Sequence, residues 1–115
     1  MLNPLTFYKC ISEETRLKSV LLITLKKELC VCDLTEALDL SQPKVSRHLA
    51  ELRKFDILRD DRRGKWVYYG LSPDLPDWAL GVLKTTLSQS PDYLSDAVTR
   101  LTDQVTTEKF EEAYA

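Results

Sequence analysis

The chain has 115 residues, 43% hydrophobic and 30% charged, a balance that suits one soluble globular domain and excludes a disordered chain. No apolar run approaches the ~18 residues of a membrane span, and a single histidine, His48, excludes chemistry that needs two imidazoles. Three cysteines are too few for a disulfide framework and point to a reducing cytoplasm, while Met1-Leu2-Asn3-Pro4 lacks the basic and apolar regions of a secretory leader.

Leu5 to Ile11 reads as a short helix presenting Leu5, Phe7, Tyr8 and Ile11, apolar enough to call for a covering surface on another subunit. Ser12, with Glu13 and Glu14 in the first turn, is the expected N-cap of an amphipathic helix running to Lys26. Cys32 to Leu38 reads as a two-turn helix and Asp39-Leu40 as a turn. Ser41 then caps a helix opened by Gln42-Pro43, with Val45, Leu49 and Leu52 as its apolar stripe. Gln42, Lys44, Ser46, Arg47 and Arg53 fill the rest of that helix's circumference. Two short helices joined by a tight turn, the second basic, form the helix-turn-helix pattern. Ile57-Leu58-Arg59 and Lys65 to Leu71 read as strands around a turn at 60–64, a basic hairpin in the position of a wing. Pro76 to Leu87 is a helix carrying Trp78, Leu80, Val82, Leu83 and Leu87. Ser90-Pro91 starts a last helical stretch with Leu94, Ala97, Val98, Leu101 and Val105, and the acidic tail beyond Thr106 is expected to fray. The fold class is mainly α with a β-hairpin wing, a winged helix-turn-helix. Residues 1–89 are expected to form a DNA-binding and dimerisation domain, and residues 90–115 a C-terminal helical extension with an acidic tail.

The net charge of -2 hides a segregation. Residues 41–71 carry a net +4, whereas residues 1–40 sum to -1 and residues 72–115 to -5. Phosphate contacts depend on a local patch, so the acidic total does not argue against nucleic acid. Ser41, Gln42, Lys44, Val45, Ser46 and Arg47 are the residues expected to face a major groove. Arg62, Arg63 and Lys65 on the wing are expected to meet phosphates or reach the minor groove. His48 reads as a half-buried packing residue beside the stripe.

Cys30 and Cys32 stand two apart at the opening of the first helix of the helix-turn-helix, where the dipole favours thiolate and thiolates select thiophilic ions. In a regular helix such a pair points about 200° apart at ~3.6 residues per turn. It chelates one ion only if that turn is extended or unwinds, which would couple the site to the DNA-reading helix. Cys10 is the only other thiol. No organic cofactor and no catalytic constellation is indicated.

Leu29-Cys30-Val31-Cys32-Asp33-Leu34, Ser41-Gln42-Pro43-Lys44-Val45-Ser46-Arg47-His48-Leu49 and Gly64-Lys65-Trp66-Val67-Tyr68-Tyr69 together resemble the ArsR/SmtB metalloregulators. Ser12-Glu13-Glu14-Thr15-Arg16 matches that family's early helix, and the likeness, which covers residues 4–87, is greatest to its arsenical-resistance operon repressors. It implies a homodimer joined through residues 4–11 and 76–89. It also implies repression at operator DNA, relieved when As(III) or Sb(III), or another thiophilic ion, binds the cysteines. Thr35 stands where the arsenic-responsive relatives carry a third cysteine, so Cys10 from either subunit, a small thiol or water would complete the site. A Cd(II)-, Pb(II)- or Zn(II)-responsive repressor and a thiol-oxidation-responsive one are the alternatives on the same fold. The cadmium and lead sensors draw cysteines from an N-terminal extension, and only nine residues precede Cys10. The family's second zinc site needs histidines on the dimer helix, and residues 77–89 contain none.

Overall fold

Asn3 opens the first helix: its side-chain oxygen accepts the Thr6 amide at 2.8 Å, and Pro4 takes the first helical position, where no amide donor is needed. In the computed structural model, which describes residues 2–101, this helix is α1, Pro4–Ile11. Ser12, the expected cap of the next helix, instead closes α1, its hydroxyl donating to the Lys9 carbonyl at 2.8 Å. Glu13 takes over as N-cap of α2 (Glu14–Lys26), its carboxylate accepting the Arg16 amide at 2.9 Å. α2 is the central helix, with Val20, Leu21, Leu22 and Ile23 buried.

A positive φ at Lys27 turns the chain into β1, Glu28–Cys30, a strand the sequence reading did not anticipate. It leads directly into α3, Val31–Leu38. Asp39 ends α3 in the left-handed region, which a short polar side chain tolerates. Ser41 then caps α4, Gln42–Lys54, its hydroxyl accepting the Lys44 amide at 3.4 Å.

The wing strands are β2, Leu58–Arg63, and β3, Trp66–Leu71, and all three strands pair antiparallel in the order β1-β3-β2. Arg63 pairs with Trp66, so the turn is the two-residue Gly64-Lys65 rather than the expected 60–64. Gly64, at φ +61°, is what allows so short a connection, because a first loop residue with positive φ matches the twist of the strands. After β3 come α5, Asp77–Gln89, a 3-10 turn at Pro91–Leu94, and helical chain to residue 101.

One apolar cluster joins these elements, running from Phe7 of α1 through α2, α3 and α4 to Leu83 of α5 and on to Leu94, Ala97 and Leu101. Residues 94–101 therefore pack into the common core, and Arg100 Nε donates to the Ala37 carbonyl at the end of α3 at 2.9 Å. Val105 and the acidic tail lie outside the described residues.

Candidate metal centre and nucleic-acid interface

Cys30 is at once the last residue of β1 and the N-cap of α3, with an extended backbone at φ -83° and ψ 166°. Of the two ways for the pair to converge, an extended turn or an unwound one, this is the extended turn. With Cys30 outside the helix its Sγ turns back over the first turn, and the two sulfurs, on Cα atoms 5.4 Å apart, are joined as a disulfide. Nothing has to unwind for them to meet. Cys30 Sγ accepts the Asp33 amide at 3.4 Å and the Asp33 carboxylate accepts the Cys30 amide at 3.0 Å, a reciprocal capping box. Cys30 is 1% and Asp33 3% exposed, while Cys32 is half-buried, which leaves the site approachable from the Cys32 side. The two sulfurs and an Asp33 carboxylate oxygen lie within 4.8 Å of one another, the group among the described residues that could hold an ion. Once reduced, two soft donors at a helix N-terminus fit a thiophilic ion. Thr35 supplies no soft sulfur donor, and its hydroxyl donates to the Val31 and Cys32 carbonyls.

Cys10 lies apart from this group. It is buried in a cavity of about 270 Å³ with Thr6, Lys9, Arg16, Glu51 and Phe55, and burial pushes its thiol pKa up. Cys10 is outside the group of two sulfurs and a carboxylate that converges at α3; its pocket neighbours belong to α1, α2 and the end of α4.

α4 presents Ser41, Gln42, Lys44 and Arg47 to solvent. Val45 is the exception to the expected reading face. It is 0% exposed, because the stripe it shares with Leu49 and Leu52 turns into the core. Ser46 is half-buried, its hydroxyl accepting from Gln42 Nε2 at 3.0 Å. His48 is buried on the inner side, where Nδ1 accepts from Arg16 Nη1 at 3.1 Å and Glu13 stands 3.7 Å away. Burial lowers its pKa, so the neutral ring ties α4 to the start of α2 as a packing residue.

The wing arginines divide. Arg62 is exposed and makes no ion pair among the described residues. Arg63 grips Glu28 with two hydrogen bonds of 2.6 and 2.7 Å, pairs with Asp61 at 2.8 Å and lies 4.7 Å over the Tyr68 ring. Its two nitrogens hold the Glu28 carboxyl below the usual carboxylate range, with Arg59 adding to the effect. Lys65 sits over Trp66 at 5.3 Å. Arg62→Ala is therefore expected to lower the salt slope of DNA binding by about one counterion on any sequence. Arg63→Ala should act through the shape of the wing instead. A salt titration of each variant on operator and random duplex checks this, and an unchanged slope in Arg62→Ala would remove Arg62 from the phosphate contacts.

Glu28 is absent from the sequence motifs, and Glu13, Arg16 and Asp33 stand within them, though not for the contacts the fold gives them. Asp33 was discoverable as the third residue after a capping side chain, a Cys-x-x-Asp analogue of the capping box. Glu28 becomes visible only when β1 is paired with the wing.

A model of the family described as bacterial regulatory protein, arsR family, matches residues 13–60, from the cap of α2 into β2. Arsenic resistance transcriptional regulator ArsR1 of Pseudomonas putida is 48% identical over 103 residues, 90% of this chain and 80% of that one. The chain belongs to the ArsR family. The arsenical resistance operon repressor of Escherichia coli K12 is 54% identical to this ArsR-family chain over 82 residues, 71% of it and 70% of the relative. Reduced HlyU from Vibrio cholerae N16961 has the same fold, at a TM-score of 0.68 and 27% identity over 75% of this chain and 86% of that one. As an ArsR-family protein the chain is a winged-helix transcriptional regulator and not an enzyme.

One further surface of the ArsR-family fold lies where α1 meets α5. Phe7 and Trp78 meet edge to face at 5.3 Å between α1 and α5, leaving Leu5 65%, Tyr8 49% and Trp78 40% exposed beside each other's helices. No helix among the described residues is long and apolar enough to cross a membrane.

Proposed function

We propose that this ArsR-family protein is a cytoplasmic repressor of arsenic-resistance genes. It binds operator DNA as a homodimer and leaves it when As(III) or Sb(III) binds the thiolates of Cys30 and Cys32. The observation that carries this reading is that both sulfurs sit in the first turn of α3, Cys30 as its N-cap and Cys32 within it, and that α3 packs directly on the reading helix α4. The names of its 48–54% identical relatives, which are arsenic-resistance regulators, support the inducer class. Trivalent arsenic and antimony bond strongly to thiolate sulfur, so a reduced Cys30–Cys32 pair supplies the donors they prefer.

In the DNA-bound form Gln42, Lys44 and Arg47 reach base edges or phosphates from the start of α4, and Arg62 and Lys65 meet the backbone. Ser41 orients the helix by capping it. Two-fold pairing through α1 and α5 would cover Leu5, Tyr8 and Trp78 and set two copies of α4 one helical turn, about 34–36 Å, apart. A ligand on Cys30 acts on both halves of this reader, because that residue ends β1 and begins α3.

A second reading, release by thiol oxidation, is favoured by one observation, the disulfide between the same two residues. Anisotropy of the reduced protein on its own promoter separates the readings. Arsenite, antimonite, Cd(II), Pb(II), Zn(II) and peroxide are added in turn, and sedimentation is run beside it. A dimer released by arsenite or antimonite is expected. Release by peroxide alone would transfer the function to oxidation sensing, release by the divalent ions alone would reassign the inducer, and a monomer at micromolar concentration would end the two-fold picture.

A further inference from the structure

Strand pairing places the cysteine site and the wing in one sheet. Glu28, Leu29 and Cys30 of β1 pair with Gly70, Tyr69 and Tyr68 of β3, and on the far side of β3 Gly70 and Tyr68 pair with Arg59 and Asp61 of β2. The row Glu28–Gly70–Arg59 has no side chain in its middle. A Cβ on Gly70 would stand 2.6 Å from Arg59 Nη2, so the glycine is what lets Arg59 lie across β3. Arg59 reaches Glu28 at 3.2 Å. Arg63 then returns from the wing tip over the ring of Tyr68, the register partner of Cys30, and closes on both oxygens of Glu28. By strand alternation Glu28 and Cys30 share one face of β1. One carboxylate, two residues before an inducer cysteine, thus holds two arginines of the DNA-binding hairpin from the opposite edge of the sheet.

We propose that Glu28 is a positioning residue that couples the cysteine site to the wing. Its carboxylate fixes where the Arg62–Lys65 tip stands relative to α4. A ligand on Cys30 that displaces β1 moves Glu28, and with it Arg59 and Arg63, so release from DNA travels through the sheet as well as through α3 and α4. This rests on Cys30 and Cys32 being the inducer site.

The test is Glu28→Gln in the full, reduced protein, with arsenite as the probe. Two quantities are measured apart: arsenite binding to the free protein, followed by thiolate absorption, and the ratio of operator affinities without and with arsenite. Arsenite binding is expected to match wild type. The salt slope of operator binding without arsenite should steepen by about one, because an acid that neutralised wing arginines is gone. The arsenite-dependent ratio should fall by about tenfold or more, within the usual span of coupling between sites. Arg63→Gln should lower the same ratio from the other side of the pair. The double variant should match Glu28→Gln, as expected when Arg63 acts through Glu28. A full wild-type ratio in Glu28→Gln, or independent losses that add in the double variant, overturns the proposal. Wild type that binds no arsenite, or stays on DNA with arsenite bound, overturns the inducer reading on which it rests.

Discussion

Cys30→Ser is expected to bind operator as wild type does and to stay there when arsenite is added. The two outcomes separate because sulfur has two roles at this position. As an N-cap it accepts the Asp33 amide, and a serine hydroxyl is a favoured N-cap, so the start of α3 survives the substitution. As a donor to a thiophilic ion it has no oxygen equivalent. Cys32→Ser should behave alike, since Cys32 caps nothing and is half-buried. The expected effect is the whole arsenite response, on the order of the 5–150-fold over which linked sites couple. Promoter-DNA anisotropy with and without arsenite measures it. X-ray absorption of the loaded wild type and of Cys10→Ser then counts sulfur at arsenic. A count that falls in Cys10→Ser places the Cys10 thiol in the site, and an equal count leaves Cys30 and Cys32 to be completed by a small thiol or water. Normal arsenite release of Cys30→Ser would remove the cysteine pair from the mechanism.

The helix-turn-helix was legible because its signals are local. Ser41 with Pro43, the Val45–Leu49–Leu52 stripe and the turn at Asp39 lie within a few residues of one another and agree. The wing was legible as a hairpin, but its turn was misplaced. Four charged residues from Asp60 to Arg63 read as a loop, whereas β2 is an edge strand whose charged side chains face outward. β1 left no trace a window could register, for a strand of three residues carries no period and owes its existence to pairing with a partner some 40 residues later. Everything that depended on β1 was lost with it. That includes the choice between an extended and an unwound turn at Cys30, and the reach of Glu28 across Gly70 to the wing. Val45 was assigned twice, to the stripe and to the DNA face, and a side chain on a helix can serve only one. Position in the stripe decided it.

Arg47→Ala is expected to weaken operator binding by about 1–3 kcal/mol and to relax sequence preference, because a guanidinium that reaches a base edge makes bonds no other residue replaces. Arg47 is exposed on α4 and makes no ion pair among the described residues, in contrast to Arg59 and Arg63, whose guanidinium groups are held by Glu28. Its loss should leave stability nearly unchanged, as surface substitutions away from special features do. Val45→Ala supplies the opposite pattern. Its side chain is 0% exposed beneath α4, so truncation should cost about 1–3 kcal/mol of folding stability. It should also weaken operator and random duplex together, to the extent that α4 is no longer held in place. Thermal unfolding and binding to the two duplexes, run on both variants, separate a reading residue from a supporting one. Equal losses of Arg47→Ala on operator and random DNA would make Arg47 a phosphate contact, and the specificity of α4 would then have to come from Gln42 and Lys44 nearer its N-terminus.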